Sequence, residues 1–244
     1  MINFERKYNR RFLKKVRKAL ADFQMIKSDD RIAVALSGGK DSIFLLFCLK
    51  LIQLTAIKDF SITGLHIDMG IGMDMSPLVK FCEENGIPII IEKTDIGDVI
   101  FKDRKEKNPC ALCSTLRRGA LVRVAKANNL NKIALGHNTD DIIQTLFMNV
   151  LKVGKLGAFH PNIYHEDNDI NIIRPLIYVR EPLIQTLVEE LNLPVIQSLC
   201  PEDKKTTRED MKKLLLTLET LYPDASDKIL KSLSNVDAKN LWFK

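Results

Sequence analysis

The apolar positions of this chain of 244 residues change period along its length. Near the start, Phe4, Tyr8, Phe12, Val16, Ala19, Leu20 and Phe23 recur at spacings of three and four. At about 100° per residue they fall on one half of a wheel, which predicts an amphipathic helix docked through that half. From residue 31 onward, short apolar runs alternate with helical patterns. Residues 31–37, 60–68, 87–93, 131–137 and 170–176 read as five strands. Residues 43–54, apolar nearly all round, read as a buried helix, and 75–85, 114–129, 139–153 and 181–191 as further helices. The strands are continuous apolar runs rather than alternating ones, as expected of parallel strands buried on both faces. This order predicts an α/β fold: a doubly wound parallel five-stranded sheet with helices on both faces. The polar stretch 165–171 (HEDNDIN) reads as a loop tip. After Pro194 the strand signals stop, and 207–221 and 225–236 read as two closing helices.

Charge and cysteine content narrow the class. No run of about 18 apolar residues exists, which excludes a membrane-spanning helix from the expectation. The first twenty residues lack the apolar core of a signal peptide, so a cytoplasmic location is expected. Five cysteines is an odd number, which argues for thiol chemistry or a metal rather than a disulfide framework. The net charge is +6, and it is concentrated. Residues 1–20 hold eight basic residues (Arg6, Lys7, Arg10, Arg11, Lys14, Lys15, Arg17, Lys18) and a single acid, Glu5. The rest of the chain is balanced to within one charge. The basic residues occupy the polar half of the N-terminal helix. A solvated face, a membrane-surface helix and a polyanion binder compete for that ridge. The membrane reading is the weakest, because the apolar stripe runs straight into the following domain.

Three motifs carry chemistry. Ser37-Gly38-Gly39-Lys40-Asp41-Ser42 follows the first strand and opens a helix. Two glycines let the backbone turn tightly, and the helix start offers free N–H groups and positive potential to an anion. The hydroxyls of Ser37 and Ser42 and the cation of Lys40 add to that field. The spacing is not that of a Walker A loop. Asp41 reads as a holder of the loop or of a metal rather than a general base. The second motif is Cys110-Ala111-Leu112-Cys113, with Arg117 one helical turn on. A dithiol redox pair, a zinc half-site and an iron–sulfur half-site all fit a CxxC. Cys200, in the loop after Pro194, is a third candidate thiolate, whereas Cys48 and Cys82 sit on apolar helix faces and read as core. The third motif is Gly136-His137-Asn138-Thr139-Asp140-Asp141 at the end of strand four. Ligands of such sheets bind beyond the carboxyl ends of the strands, so this segment, the SGGKDS loop, and His66 and Asp68 on strand two are expected to converge. Asp140 or Asp141 would hold Mg²⁺ or orient an acceptor, the other capping the helix.

The SGGKDS loop resembles the PP-loop of the ATP pyrophosphatase superfamily, whose members cleave ATP between the α and β phosphates. The ordered set of ALADFQMIKSDDRIAVALSGGKDS, CALCSTLRRGAL, KIALGHNTDDIIQTLFMN, Gly154-Lys155 and IIRPLIYVRE is similar to one family within it, the iron–sulfur tRNA 2-thiocytidine synthetases. The resemblance runs from the basic helix to about Asn235. It implies a 4Fe-4S cluster on Cys110, Cys113 and Cys200, ATP and Mg²⁺ at SGGKDS and GHNTDD, and tRNA on the basic surface (Arg6, Arg10, Arg11, Lys14, Lys15, Arg17, Lys18). It implies a sulfur donor, a cysteine desulfurase or inorganic sulfide, and a homodimer is common in the family. Arg117 would contact the cluster sulfur or a phosphate. The family usually carries CxLC in the late loop; here Gln197-Ser198-Leu199-Cys200 keeps only the second cysteine, and the following PEDKKTTRED is more charged. The strand-two loop, HIDMGIGMDM, resembles related thiolases equally well, and no zinc-binding cysteines flank the domain as they do in wobble-uridine thiolases. The expected division is a basic helix (1–28), an ATP-binding PP-loop α/β domain with the CxxC (29–195) and a helical extension with the third cysteine (196–244). The implied activity is ATP-dependent replacement of the C2 oxygen of an anticodon-loop cytidine by sulfur. Thiolation of a tRNA uridine or a small molecule, addition of lysine to cytidine, and a non-enzymatic nucleotide or iron–sulfur sensor are the competing readings.

Overall fold

A computed structural model of the protein describes residues 2–55, 59–103, 109–202 and 207–242. Six strands form one sheet: β1 (Asp30–Ala35), β2 (Phe60–Asp68), β3 (Ile89–Lys93), β4 (Lys132–Ala134), β5 (Asn162–His165) and β6 (Ile170–Ile173). Their order is β3-β2-β1-β4-β6-β5. All neighbours are parallel except β5, which runs antiparallel to β6 in a hairpin. The doubly wound parallel sheet is as expected, with one strand more than the five read from the sequence. The extra strand escaped because it lies at the sheet edge with Ile163 and Tyr164 exposed, so it lacks the apolar run of a doubly buried strand. The turn of that hairpin is residues 166–169, the middle of the HEDNDIN stretch, while His165, Ile170 and Asn171 lie in the strands.

The N-terminal helix α1 spans residues 6–22, built from Arg6–Tyr8, a wider π-type turn at Asn9–Leu13, and Lys14–Asp22. Next come α2 (Lys40–Thr55), α3 (Ser76–Glu84), α4 (residues 96–103), α5 (Pro109–Ala127) and α6 (Thr139–Met148), which continues into a π-type stretch, Asn149–Val153. The last three are α7 (Glu181–Glu190), α8 (Thr207–Leu221) and α9 (Ala225–Ser232). Most boundaries shift by a few residues, and two helix ends shift further. Helix α5 begins at Pro109 rather than at residue 114, because a proline fits a first helical turn without losing a hydrogen bond. Helix α9 stops at Ser232 rather than at residue 236, since Val236 is exposed and finds nothing to bury against.

Two compact units make up the chain: Met1–Asn138 with Pro161–Asp203, and Thr139–His160 with Lys204–Lys244. In the first, β1, β2 and β3 step one way across the sheet through α2 and α3, and α5 then returns the chain to β4 on the other side of β1. Right-handed crossovers that step in opposite directions lie on opposite faces. The packing agrees. Ala33, Leu65, Ile67 and Ile133 share a core with Ala120, Val124 and Ala125 of α5. On the other face α1 docks on α2, with Phe12 against Phe44 at 5.2 Å and Tyr8 against Phe47 at 5.9 Å between ring centroids. Arg11 reaches Glu190 of α7 at 2.6 Å. The order reverses between β1 and β4, which opens the crevice at their carboxyl ends where ligands of such sheets bind. At the opposite ends a buried ion pair, Lys132 Nζ to Asp30 at 2.8 Å, ties β4 to β1. Lys132 also donates to the Met25 carbonyl at 2.8 Å, so the pair is hydrogen-bonded as a buried pair must be. In the second unit, α8 and α9 pack against α6, with Met211, Leu215 and Ala225 buried. Among the described residues no helix is long and apolar enough to cross a membrane.

Candidate functional site

The turn from β1 to α2 is held by its own side chains. Gly38 has φ +86°, a conformation L side chains avoid, and a Cβ there would sit 3.0 Å from Ile196 Cβ. The Ser37 hydroxyl accepts from Gly39 N at 3.3 Å, and the Ser42 hydroxyl donates to the Gly39 carbonyl at 2.8 Å. Ser37 N in turn donates to Ser42 Oγ at 3.2 Å. The loop therefore presents the start of a helix sixteen residues long, with the positive end of its dipole facing the crevice.

Lys40 is fixed from two sides, at 2.9 Å from Asp41 Oδ2 and 2.9 Å from Glu181 Oε1 at the start of α7. Burial alone would lower its pKa, but the two carboxylates outweigh that and raise it, so Lys40 is a secure cation. The other Asp41 oxygen, Oδ1, accepts from Asn138 Nδ2 at 3.1 Å. The carboxylate thus ties Lys40 and Asn138 together at the loop. Gly136 is a close-approach glycine, since a Cβ there would stand 2.9 Å from the Asp41 backbone carbon. His66 is buried on β2, its Nδ1 2.7 Å from the Leu36 carbonyl at the root of the loop. Burial lowers its pKa against the pull of that carbonyl, so the ring is neutral with the proton on Nδ1. Asp68 closes β2, its Oδ1 accepting from Gly70 N at 2.9 Å. His137 is half-buried, and its Nδ1 accepts from Arg174 Nε at 3.2 Å.

The thiols form a second group beside the loop. Cys110 and Cys113 lie on the first turns of α5, three residues apart and so on one face, not in a polar loop. Cys200 arrives from a distant segment, which is stitched to the nucleotide loop by Ile196 N donating to the Gly38 carbonyl at 2.9 Å. The three thiols are near enough to act on one another. Burial, then the Cys200 thiol and the Glu202 carboxylate, push Cys110 up. Cys113 is pushed up by burial against the opposing charge of Arg117, whose guanidinium hydrogen-bonds its sulfur. The Cys113 thiol also meets Met69 Sδ at 3.5 Å. Gln197 and Ser198 are exposed, and the Ser198 hydroxyl accepts from Cys200 N at 3.3 Å, so the residue in the place of the family's first late cysteine adds no thiol here. Among the described residues no three His, Cys, Asp or Glu side chains stand in metal-holding geometry. Cys48 and Cys82 are fully buried core thiols, and burial takes Cys82 to about 11.

In the other unit, Asp140 is buried in the first turn of α6 and Asp141 pairs with Arg208 at 2.8 Å. Gly154 ends that helical stretch in the left-handed region, and Lys155 N donates to the Asn149 carbonyl at 3.0 Å. On α1 the basic ridge splits. Arg11 pairs with Glu190, Arg17 donates to Asn9 and Thr55, Lys18 pairs with Asp22 and Lys7 with Glu5. Arg6, Arg10, Lys14 and Lys15 stand exposed, the first three spaced by four residues along one line.

Residues 5–218 match the PP-loop domain family. The chain is 39% identical over 236 residues to a tRNA-cytidine(32) 2-sulfurtransferase of Pelobacter propionicus, covering 95% of this chain and 88% of that one. It is 36% identical over 248 residues to the protein of the same name from Pectobacterium carotovorum, at 98% and 80% coverage. The chain belongs to the tRNA-cytidine(32) 2-sulfurtransferase family of PP-loop proteins. Among solved structures it is similar to the U34-tRNA thiolase NcsA from Methanococcus maripaludis with its [4Fe-4S] cluster, with a TM-score of 0.75 and 26% identity over 91% of this chain and 77% of that one. NMN synthetase from Francisella tularensis, with a TM-score of 0.52 and 14% identity over 99% and 98% of the two chains, shares the fold.

Within this member of the sulfurtransferase family, the sequence reading missed three site residues. Glu181 looked like an ordinary acid at a helix start, yet it holds Lys40. Arg174 looked like a strand-end residue before Pro175. It is half-buried, and burial together with the charge of Arg118 brings its pKa down to about 10. Ile196 carried no polar signal at all and acts through its backbone. The signal available for the first two was their position in the IIRPLIYVRE segment.

Proposed function

We propose that this protein is an ATP-dependent tRNA sulfurtransferase that replaces the C2 oxygen of an anticodon-loop cytidine with sulfur. The observation that supports it best is the Ile196–Gly38 backbone bond. It anchors the segment bearing Cys200 to the nucleotide loop, so that activation and sulfur delivery share one crevice.

The roles of the residues follow from their chemistry. The N–H groups at the start of α2, the hydroxyls of Ser37 and Ser42 and the cation of Lys40 would hold the ATP phosphates. Mg²⁺ would enter with the nucleotide, with Asp41 and Asp68 as carboxylates to serve it. The C2 oxygen of the base attacks the α phosphorus, an adenylated pyrimidine forms, and pyrophosphate leaves. Charge builds on the departing oxygens, and Lys40 and the helix start are already in place to meet it, without reorganisation. Neutral His66 and the Arg174-bound His137 line the same strand ends and would orient the adenylated base. The donor set is of the kind an iron–sulfur cluster takes: three thiols from two segments, with Arg117 hydrogen-bonding the Cys113 sulfur. Cys110, Cys113 and Cys200 would hold a 4Fe-4S cluster, which when bound supplies the site for the incoming sulfur. Arg117 would neutralise negative charge as sulfur adds to C2 and AMP departs with the original oxygen. Cysteine desulfurase or inorganic sulfide would provide the sulfur, and the exposed Arg6, Arg10, Lys14 and Lys15 would meet tRNA phosphates, in the cytoplasm. Liquid chromatography–mass spectrometry of tRNA nucleosides from a deletion strain tests this reading. Loss of 2-thiocytidine, restored by the wild-type gene, is expected; an unchanged thionucleoside profile overturns it.

A further inference from the structure

The outer side of α5 carries a feature that the activation chemistry does not use. A groove of about 330 Å³ lies between α5 and the β5–β6 hairpin. One wall presents Arg118, Arg123 and Lys126, the other His165, and Val122 and Ile172 lie between. All three cations are exposed. At about 100° and about 1.5 Å per residue, Arg118 to Lys126 is a row about 12 Å long, on the side of the helix turned away from Cys110, Cys113 and Arg117. Gly119 lies in the same wall, and a Cβ there would meet nothing, so the helix backbone is open to a close approach. Among the described residues no acid lines the groove. Arg123 pairs with Glu92 at 2.8 Å, but that pair is exposed and exchangeable. Arg118 sits close enough to the half-buried Arg174 to oppose its charge. Such a concentration of like charge around an apolar floor calls for an anion with a hydrophobic part.

We infer that this groove binds the backbone of the substrate RNA, seating one nucleotide with its phosphates on Arg118, Arg123 and Lys126 and its sugar or base against Val122, Ile172 and His165. The inference rests on the tRNA reading above. The volume is at the small end of ligand pockets, which suits one nucleotide unit. The row of cations, longer than one phosphate, suits a strand rather than a free nucleotide. Position favours this face over α1. The groove and the thiols share one helix on one face of the sheet, whereas the α1 ridge is across the sheet. A strand lying along α5 leads towards Cys110 and Cys113.

The test is tRNA binding by fluorescence anisotropy over a salt series. It compares wild-type protein, the Arg118→Ala/Arg123→Ala/Lys126→Ala variant, the single Lys126→Glu variant, and an Arg6→Ala/Arg10→Ala/Lys14→Ala variant of α1. The groove triple variant is expected to weaken tRNA binding about 10- to 100-fold at low salt and to make the slope of log affinity against log salt shallower by about 2, for three lost phosphate contacts. Lys126→Glu, a surface change that leaves the fold intact, is expected to weaken binding in the same direction. ATP binding by both stays at the wild-type value. Wild-type affinity and slope in both groove variants, with loss only in the α1 variant, overturn the inference while leaving the tRNA reading intact. A wild-type protein that binds no tRNA overturns the reading itself, and the groove assignment with it.

Discussion

The nucleotide loop and the thiol corner touch through one backbone bond, yet they are built in opposite ways. Residues 37–42 are adjacent in sequence, and their hydroxyls and amides bond one another before any ligand is considered. Lys40 is clamped by two carboxylates at 2.9 Å each. The thiol corner takes two sulfurs from α5 and one from a loop some 87 positions later. Its members act on one another but do not stand in ligand geometry. The loop is held by bonds among neighbours in sequence, whereas the thiols come together from segments far apart in the chain. A preorganised site loses little when a neighbour is altered, whereas a site assembled from separate segments fails when one donor is removed.

The largest effect follows directly. Cys110→Ala, Cys113→Ala or Cys200→Ala should each lower tRNA thiolation by at least about three orders of magnitude, about 4 kcal/mol of barrier. ATP affinity, measured by calorimetry, should stay within about twofold of wild type, because no thiol contributes to the loop. Cys82→Ala is the matched control. It removes a buried core thiol, so it should lower the melting temperature and keep the activity. A cysteine variant that loses ATP binding along with thiolation would show that the two regions are one cooperative site, and the contrast would fall.

The contrast also explains what the sequence disclosed. The loop was legible because everything that shapes it is local: two glycines, two hydroxyls and a lysine at a strand-to-helix turn. The two core thiols were legible from the apolar faces around Cys48 and Cys82. The pairing of Glu181 with Lys40 was not, since it joins residues 141 positions apart and an acid at a helix start has an ordinary local explanation. The start of α5 was misplaced because a polar stretch precedes Pro109, which moved the cysteines from an expected loop onto a helix. The α1 ridge of Arg6, Arg10, Arg11, Lys14, Lys15, Arg17 and Lys18 was read as available to a polyanion; that Arg11, Arg17 and Lys18 also make contacts within the protein is a detail that only tertiary structure supplies.

A smaller effect sharpens the preformed half of the comparison. Glu181→Gln leaves Lys40 with Asp41 as its remaining carboxylate of the two. Phosphate then competes with one anion fewer, so ATP should bind a few-fold more tightly. The ammonium group is less well placed for the leaving pyrophosphate, so the adenylation rate at saturating ATP should fall by about tenfold. A split of this kind, tighter binding with slower chemistry, marks Glu181 as a positioning residue. A rise in KM with kcat unchanged would mean that the carboxylate acts on binding alone and that the loop is not set by its clamp.

The smallest effect concerns His66, which stands between the two regions, its Nδ1 on the Leu36 carbonyl and its ring in the fields of Asp68 and Arg117. Its folded pKa lies below the ordinary value of 6.5, chiefly through burial. As pH falls through 6.5 the unfolded chain takes up this proton before the folded protein does. The stability contributed by neutral His66 is therefore complete above 6.5 and declines below it, towards the folded pKa. His66→Asn keeps an N–H donor for Leu36 and removes the titration. Between about pH 7 and pH 5 the melting temperature of the wild type should fall more steeply than that of the variant, by the share due to one histidine. Parallel melting curves would place His66 outside the linkage. The loop root would then be insensitive to the charge state of its only buried ring among the described residues, and the two regions would be coupled through the Ile196–Gly38 bond without help from β2.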